Sequence, residues 1–139
     1  SQLGEIDGVK GDDKFIPHLM GHEGCGIIKK IGPGVTTVKE GDKVVLHWKK
    51  GSGINSEVPN YKYENKKINA GWVTTFNKFA VVSENRCTAI PEEISNDNAS
   101  LFGCAITTGF GRQFQPHSSS GAGRQPIAGQ LRVTPEADL

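Results

Sequence analysis

Short apolar, β-branched runs separated by turn-forming residues set the rhythm of this chain. Gly26 to Ile31 reads as a strand. Gly32-Pro33-Gly34 is a turn signal. Val35 to Val38 is a second short strand, Lys39-Glu40-Gly41-Asp42 another turn, and Lys43 to Trp48 a third strand. Such spacing implies a mainly β fold, a barrel or a sandwich. One helix is predicted later: Asp97 or Asn96 can cap it, Ala99 to Thr107 would form it, and Gly109 would end it. The chain has 139 residues and no internal repeat, which fits one domain. A folded part of about 110 residues can bury a modest core without disulfides.

Charge changes this picture little. The formal net charge is +1. Residues 49–71 hold five of the twelve lysines together with Tyr61 and Tyr63. A basic patch with aromatics can bind nucleic acid. Glu57 and Glu64, and the near-neutral whole, argue against a broad electrostatic footprint, so a solvated loop is expected and no nucleic-acid partner. Three cysteines, no signal-peptide pattern and no long apolar run point to a reducing, cytoplasmic setting away from membranes.

Composition shifts after Gly111. All lysines occur by Lys78, whereas three of the four arginines lie at or after Arg112. Pro, Gly, Ser and Gln dominate residues 112–139, which are expected to be an unrelated, flexible tail, with Gln130 to Thr134 able to add a strand edge. Gly121-Ala122-Gly123 has no apolar strand before it and no third glycine in register, too little for a dinucleotide-binding turn.

The candidate chemistry begins at Gly21-His22-Glu23-Gly24. Two glycines let the backbone turn tightly, or pass close to an ion, around an imidazole and a carboxylate. His22 stands at a strand entrance, where it could project as a ligand or serve as an ordinary core or surface histidine.

The ordered set of motifs resembles the zinc-dependent alcohol dehydrogenases of the medium-chain dehydrogenase/reductase family. The matching pieces are Gly21-His22-Glu23-Gly24-Cys25-Gly26, Gly32-Pro33-Gly34-Val35, Gly41-Asp42-Lys43-Val44, Asn77 to Val82, Ile90-Pro91-Glu92-Glu93-Ile94, and Ala99 to Gly111. Each piece is weakly specific, but their order is strong. The resemblance covers residues 1–111. It implies a GroES-like barrel with one C-terminal helix, followed by the irregular 112–139 tail and no Rossmann domain.

The resemblance also implies a site. His22 and Cys104 match two ligands of the family's catalytic zinc, a metal that suits imidazole and thiolate and keeps one position open. Glu23 matches the carboxylate beside that metal. The family's third ligand is a cysteine about twenty residues before the Gly-His-Glu motif, in a pattern such as Cys-Gly-Ser-Asp. Ser1-Gln2-Leu3 looks like the continuation of that pattern, its cysteine just before Ser1. Ser1 then matches the hydroxyl that relays the substrate proton. Cys25 and Cys87 match no ligand and are expected to be small buried hydrophobes. His18, four residues before His22, could complete a site, but Pro17 disfavours the helix that would align the two.

Residues 49–71, where many family members bind a structural zinc, contain no cysteine, so no structural zinc is expected. NAD(P) is implied by the resemblance, yet residues 112–139 offer no site for it. Trp48, Trp72 and Phe76 are candidates for an alcohol pocket, with core packing the expected role of each. The surface that would meet a nucleotide domain should be apolar and favour a homo-oligomer. Three functions fit: a truncated alcohol dehydrogenase-like catalytic domain, inactive alone; a non-catalytic GroES-like binding or oligomerisation module; or a gene fragment without evolved activity.

Overall fold

A computed structural model describes residues 2–9, 11, 12 and 16–113, with the backbone alone for 112 and 113. The fold is mainly β, in small sheets. Helix α1 (Gln2–Ile6) precedes strand β1 (Gly24–Ile27), β2 (Lys43–Leu46), β3 (Tyr61–Tyr63), β4 (Lys66–Ile68), a 3₁₀ turn (Glu84–Arg86), β5 (Cys87–Ala89), and helices α2 (Asn96–Phe102) and α3 (Ala105–Gln113). β1, β2 and β5 form an antiparallel sheet in that order, with Cys25 opposite Val45 and Leu46 opposite Cys87. β3 and β4 form a separate hairpin, closed by Glu64 and Asn65 at positive φ. Asn tolerates that conformation; for Glu it is uncommon.

Alternation in β2 sorts its side chains. Val44 is 2% exposed and clusters with Val38 and Cys87, with Ile28, Val35, Leu46 and Val82 packed around them. Val45 points to the opposite face. There Cys25, its cross-strand neighbour, donates through Sγ to the Asn96 carbonyl of α2 at 3.4 Å. α2 packs across β1 and β2 on this face and buries Ala99 completely. The Val38–Val44–Cys87 side is loosely filled, and a cavity of about 840 Å³ opens between Ile28, Val35, Val44, Phe79 and Val82.

Among the described residues the strand ladders form a three-stranded sheet and a hairpin, the mainly β arrangement expected of a GroES-like domain. Several elements within it differ from the sequence expectation. Val35 to Val38 forms no strand; its backbone is taken up by a side chain. Glu84 Oε1 accepts from Thr36 N and Thr37 N, both at 2.7 Å, and from Thr37 Oγ1 at 2.9 Å, while Oε2 accepts from Ile54 N at 2.7 Å. One carboxylate thus replaces a strand partner and joins two loops to the 3₁₀ turn. Those N–H bonds, first from Ile54 and then from Thr36 and Thr37, hold its pKa down at about 2. Gly53, at φ +102°, lies so close that a Cβ would sit 2.6 Å from the Glu84 side chain.

The single expected helix is two. Ser95, rather than Asn96 or Asp97, caps α2, its Oγ accepting from Asn98 N at 3.3 Å. The break falls at Gly103, where a Cβ would collide with the Leu46 carbonyl oxygen. α3 then runs through Gly109 to Gln113, since a helix tolerates an exposed glycine at modest cost. Of the expected 112–139 tail, only the backbone of residues 112 and 113 is described, as the end of this helix; residues 114–139 lie outside the described residues. Trp48, Trp72 and Phe76 are not core residues: they are 49%, 47% and 74% exposed, because the apolar interior is closed by aliphatic side chains. Among the described residues no helix is long and apolar enough to cross a membrane.

Candidate functional site

His22 and Glu23 lie in the loop that enters β1, and that loop is tied down on both sides. Asn69 N donates to the Pro17 carbonyl and Leu19 N to the Asn69 carbonyl, each at 2.9 Å. Thr75 N and Phe76 N both donate to the Met20 carbonyl at 3.1 Å. Gly21 follows at φ +88°, buried, where a Cβ would overlap Thr75 and lie 2.7 Å from Phe76 N. Only glycine fits that turn, and the turn sets the direction of the next two side chains.

Cys104 arrives from the other end of the domain. Gly103 presses against the end of β2, leaving Cys104 in the corner between α2 and α3. Ala105 N, in the first turn of α3, donates to Glu23 Oε1 at 2.8 Å. This bond ties the β1 entry loop to the helix and places a carboxylate where the helix dipole favours negative charge. Cys104 Sγ and Thr108 Oγ1 are 3.9 Å apart, one turn along the helix.

The outcome is a three-residue cluster. One donor atom each from His22, Glu23 and Cys104 lies within 4.8 Å of the other two, and all three side chains are half-buried. Bonds of about 2.0–2.3 Å from one ion to two donors span at most roughly 4.6 Å. The separations are therefore close to what a single ion bridges, and nitrogen, sulfur and oxygen donors together suit a zinc-like metal.

The structure brings together His22, Glu23 and Cys104, and leaves the other candidates apart. Ser1 lies outside the described residues. His18 forms an isolated parallel bridge with Asn69, and its Nδ1 is 3.1 Å from the Leu19 carbonyl oxygen. Cys25 bonds to Asn96, and Cys87 donates to the Glu84 carbonyl at 3.3 Å. Burial, with the Glu84 charge nearby, pushes the Cys87 thiol pKa up, which keeps it protonated. All three cysteines are free thiols. Sequence reasoning missed the anchoring of Glu23 by Ala105 and the Glu84 junction; neither has a local signal, because the donors are backbone N–H groups far along the chain.

Known proteins share this arrangement of sequence. Residues 4–92, more than half of the chain, match the alcohol dehydrogenase GroES-like domain. The chain is 32% identical over 122 residues to the alcohol dehydrogenase class-3 of Dictyostelium discoideum, covering 70% of this chain and 32% of that protein. It is 30% identical over 131 residues to the S-(hydroxymethyl)glutathione dehydrogenase of Candida maltosa, covering 76% and 34%. With the alcohol dehydrogenase 6 of Peromyscus maniculatus the identity is 31% over 121 residues, covering 70% and 32%. The chain spans about a third of the length of these relatives. On the match over residues 4–92, it belongs to the alcohol dehydrogenase GroES-like domain family.

Proposed function

We propose that residues 1–111 are the zinc-holding domain of an NAD(P)-linked oxidoreductase acting on alcohols or aldehydes, inactive without a nucleotide-binding partner domain. The observation that carries this reading is the meeting of His22 and Glu23 with Cys104, from opposite ends of the described chain, within 4.8 Å. His22 and Cys104 would hold the ion, with Glu23 as the third donor. A zinc ion held there would supply Lewis acidity, favouring loss of the hydroxyl proton from a bound alcohol. The chain's own residues do the positioning. Gly21 fixes the turn before His22, Ala105 N–H orients Glu23, and Thr108 stands beside the Cys104 sulfur. Ser1 is proposed as the hydroxyl that takes the substrate proton.

Elemental analysis of chain purified without chelator tests the reading. We expect about one zinc per chain, falling to near none in His22→Ala and Cys104→Ser. Metal-free wild-type protein, with the fold intact by circular dichroism, would sink it.

A second reading, a non-catalytic module that self-associates, is favoured by the exposure of Phe76, Phe79 and Val81 at 74%, 75% and 65%. Zinc-free protein that is a stable dimer in solution scattering would select this reading; a zinc-loaded monomer would discard it.

A further inference from the structure

Arg86 ends the 3₁₀ turn Glu84–Arg86 and is 4% exposed. Its Nε is shielded from solvent and has no hydrogen-bond partner. Among the described residues no carbonyl, hydroxyl or carboxylate accepts from this Nε–H. The contact it does make is with Trp72, whose ring centroid lies 4.9 Å from the guanidinium carbon. An arginine carries five N–H donors in a rigid fork, and a buried charge is ordinarily paired. Loose local structure does not explain the vacancy. Arg86 N donates to the Ser83 carbonyl, His47 N donates to the Arg86 carbonyl, and Glu84 two residues earlier is fully bonded.

We propose that Arg86 and Trp72 form a binding site for a carboxylate monoanion. The planar fork of a guanidinium matches the two oxygens of a carboxylate. Trp72 is 47% exposed, so its indole forms a wall between the buried cation and solvent, suited to the apolar part of a small organic acid. Arg86 supplies a single positive charge: burial alone lowers its pKa, and no neighbouring charge contributes. A monoanion balances that charge, whereas a phosphate dianion would enter the site half uncompensated.

The site adjoins the metal cluster through the backbone. Trp72 opens the stretch leading to Thr75 and Phe76, which hold the Met20 carbonyl beside Gly21 and His22. Arg86 pairs with His47, whose Cα packs on Gly103 next to Cys104. Anion binding itself requires no metal and is independent of the dehydrogenase reading.

The chain contains two tryptophans, so a Trp48→Phe background leaves Trp72 as the sole emitter. Sodium acetate is titrated into the chelator-treated full chain at constant ionic strength, balanced with chloride. We expect a saturable change in Trp72 emission, about tenfold weaker binding in Arg86→Lys, and none in Arg86→Met. The Arg86 Nε–H resonance should also move in the wild-type chain, a readout that does not depend on any variant folding. A wild-type chain in which neither signal saturates with acetate would overturn the proposal. So would a folded Arg86→Met variant that responds like its parent, and phosphate saturating below acetate would overturn the monoanion assignment.

Discussion

Glu23 and Glu84 are the same residue type in one small domain, held in opposite ways. Among the described residues Glu23 accepts one hydrogen bond, from Ala105 N, and stays half-buried with an oxygen to spare beside His22 and Cys104. Glu84 is 5% exposed and accepts three backbone N–H bonds and the hydroxyls of Thr36 and Thr37, which engage both oxygens and pull its pKa to about 2. The difference lies in the supply of donors. A carboxylate saturated by N–H groups has become part of the scaffold. A carboxylate given one anchor keeps its direction and retains capacity for a ligand.

The largest expected effect separates the two regions outright. Cys104→Ser should reduce bound zinc from about one per chain to near none, because losing a thiolate removes both charge and chelation. Glu84→Gln should leave zinc content unchanged and lower the melting temperature by several degrees, since the neutral amide accepts its N–H bonds more weakly. Zinc content and thermal melts on both proteins decide the matter; zinc lost equally from both would end the contrast.

Gly103 couples the regions and comes next. An added Cβ must collide with the Leu46 carbonyl, so Gly103→Ala should cost about 3 kcal/mol and displace Cys104 as well. Chemical denaturation with a parallel zinc assay reads both consequences. An undisturbed alanine variant would mean that the α2–α3 corner is set by something else.

How much of this could be read from residues alone follows the same division. The Gly21-His22-Glu23-Gly24 motif is contiguous, so its donors are legible directly, and Cys104 through resemblance. The helix break was not legible, because Gly103 answers to a carbonyl on β2 and not to its own neighbours in sequence. Val35 to Val38 looks like a strand by its β-branched residues, yet Glu84 captures the Thr36 and Thr37 amides that a ladder would have used. Trp48 and Trp72 look like core residues by size, yet each rests against a cation, Lys49 and Arg86 respectively, with a face toward solvent. Local patterns located the short strands β1 and β2 within a few residues. Contacts between distant backbone groups decided the rest.

Acid tests the scaffold carboxylate directly. The folded pKa of Glu84 is lowered from its ordinary 4.5 to about 2, by N–H bonds that favour the charged form. Its contribution to stability is therefore complete above pH 4.5 and is lost as pH falls through about 2. Urea midpoints measured down this range should decline in the wild type, with a shallower decline in Glu84→Gln. Parallel slopes would assign the acid sensitivity to other carboxylates.

The smallest effect is the sharpest test of what one anchor is for. Glu23→Gln keeps an oxygen that can still accept from Ala105 N–H, so the start of α3 and the β1 entry loop should stay joined. The charge facing His22 and Cys104 is gone. Melting temperature should therefore hold while zinc affinity drops about tenfold, the scale on which partners around a metal act. Glu23→Ala removes the anchor too, and should lower both stability and affinity. If Gln and Ala variants lose affinity equally and neither melts earlier, the Ala105 bond contributes nothing to the fold. Equal melting losses with unchanged affinity would make Glu23 a helix cap alone, a scaffold carboxylate like Glu84.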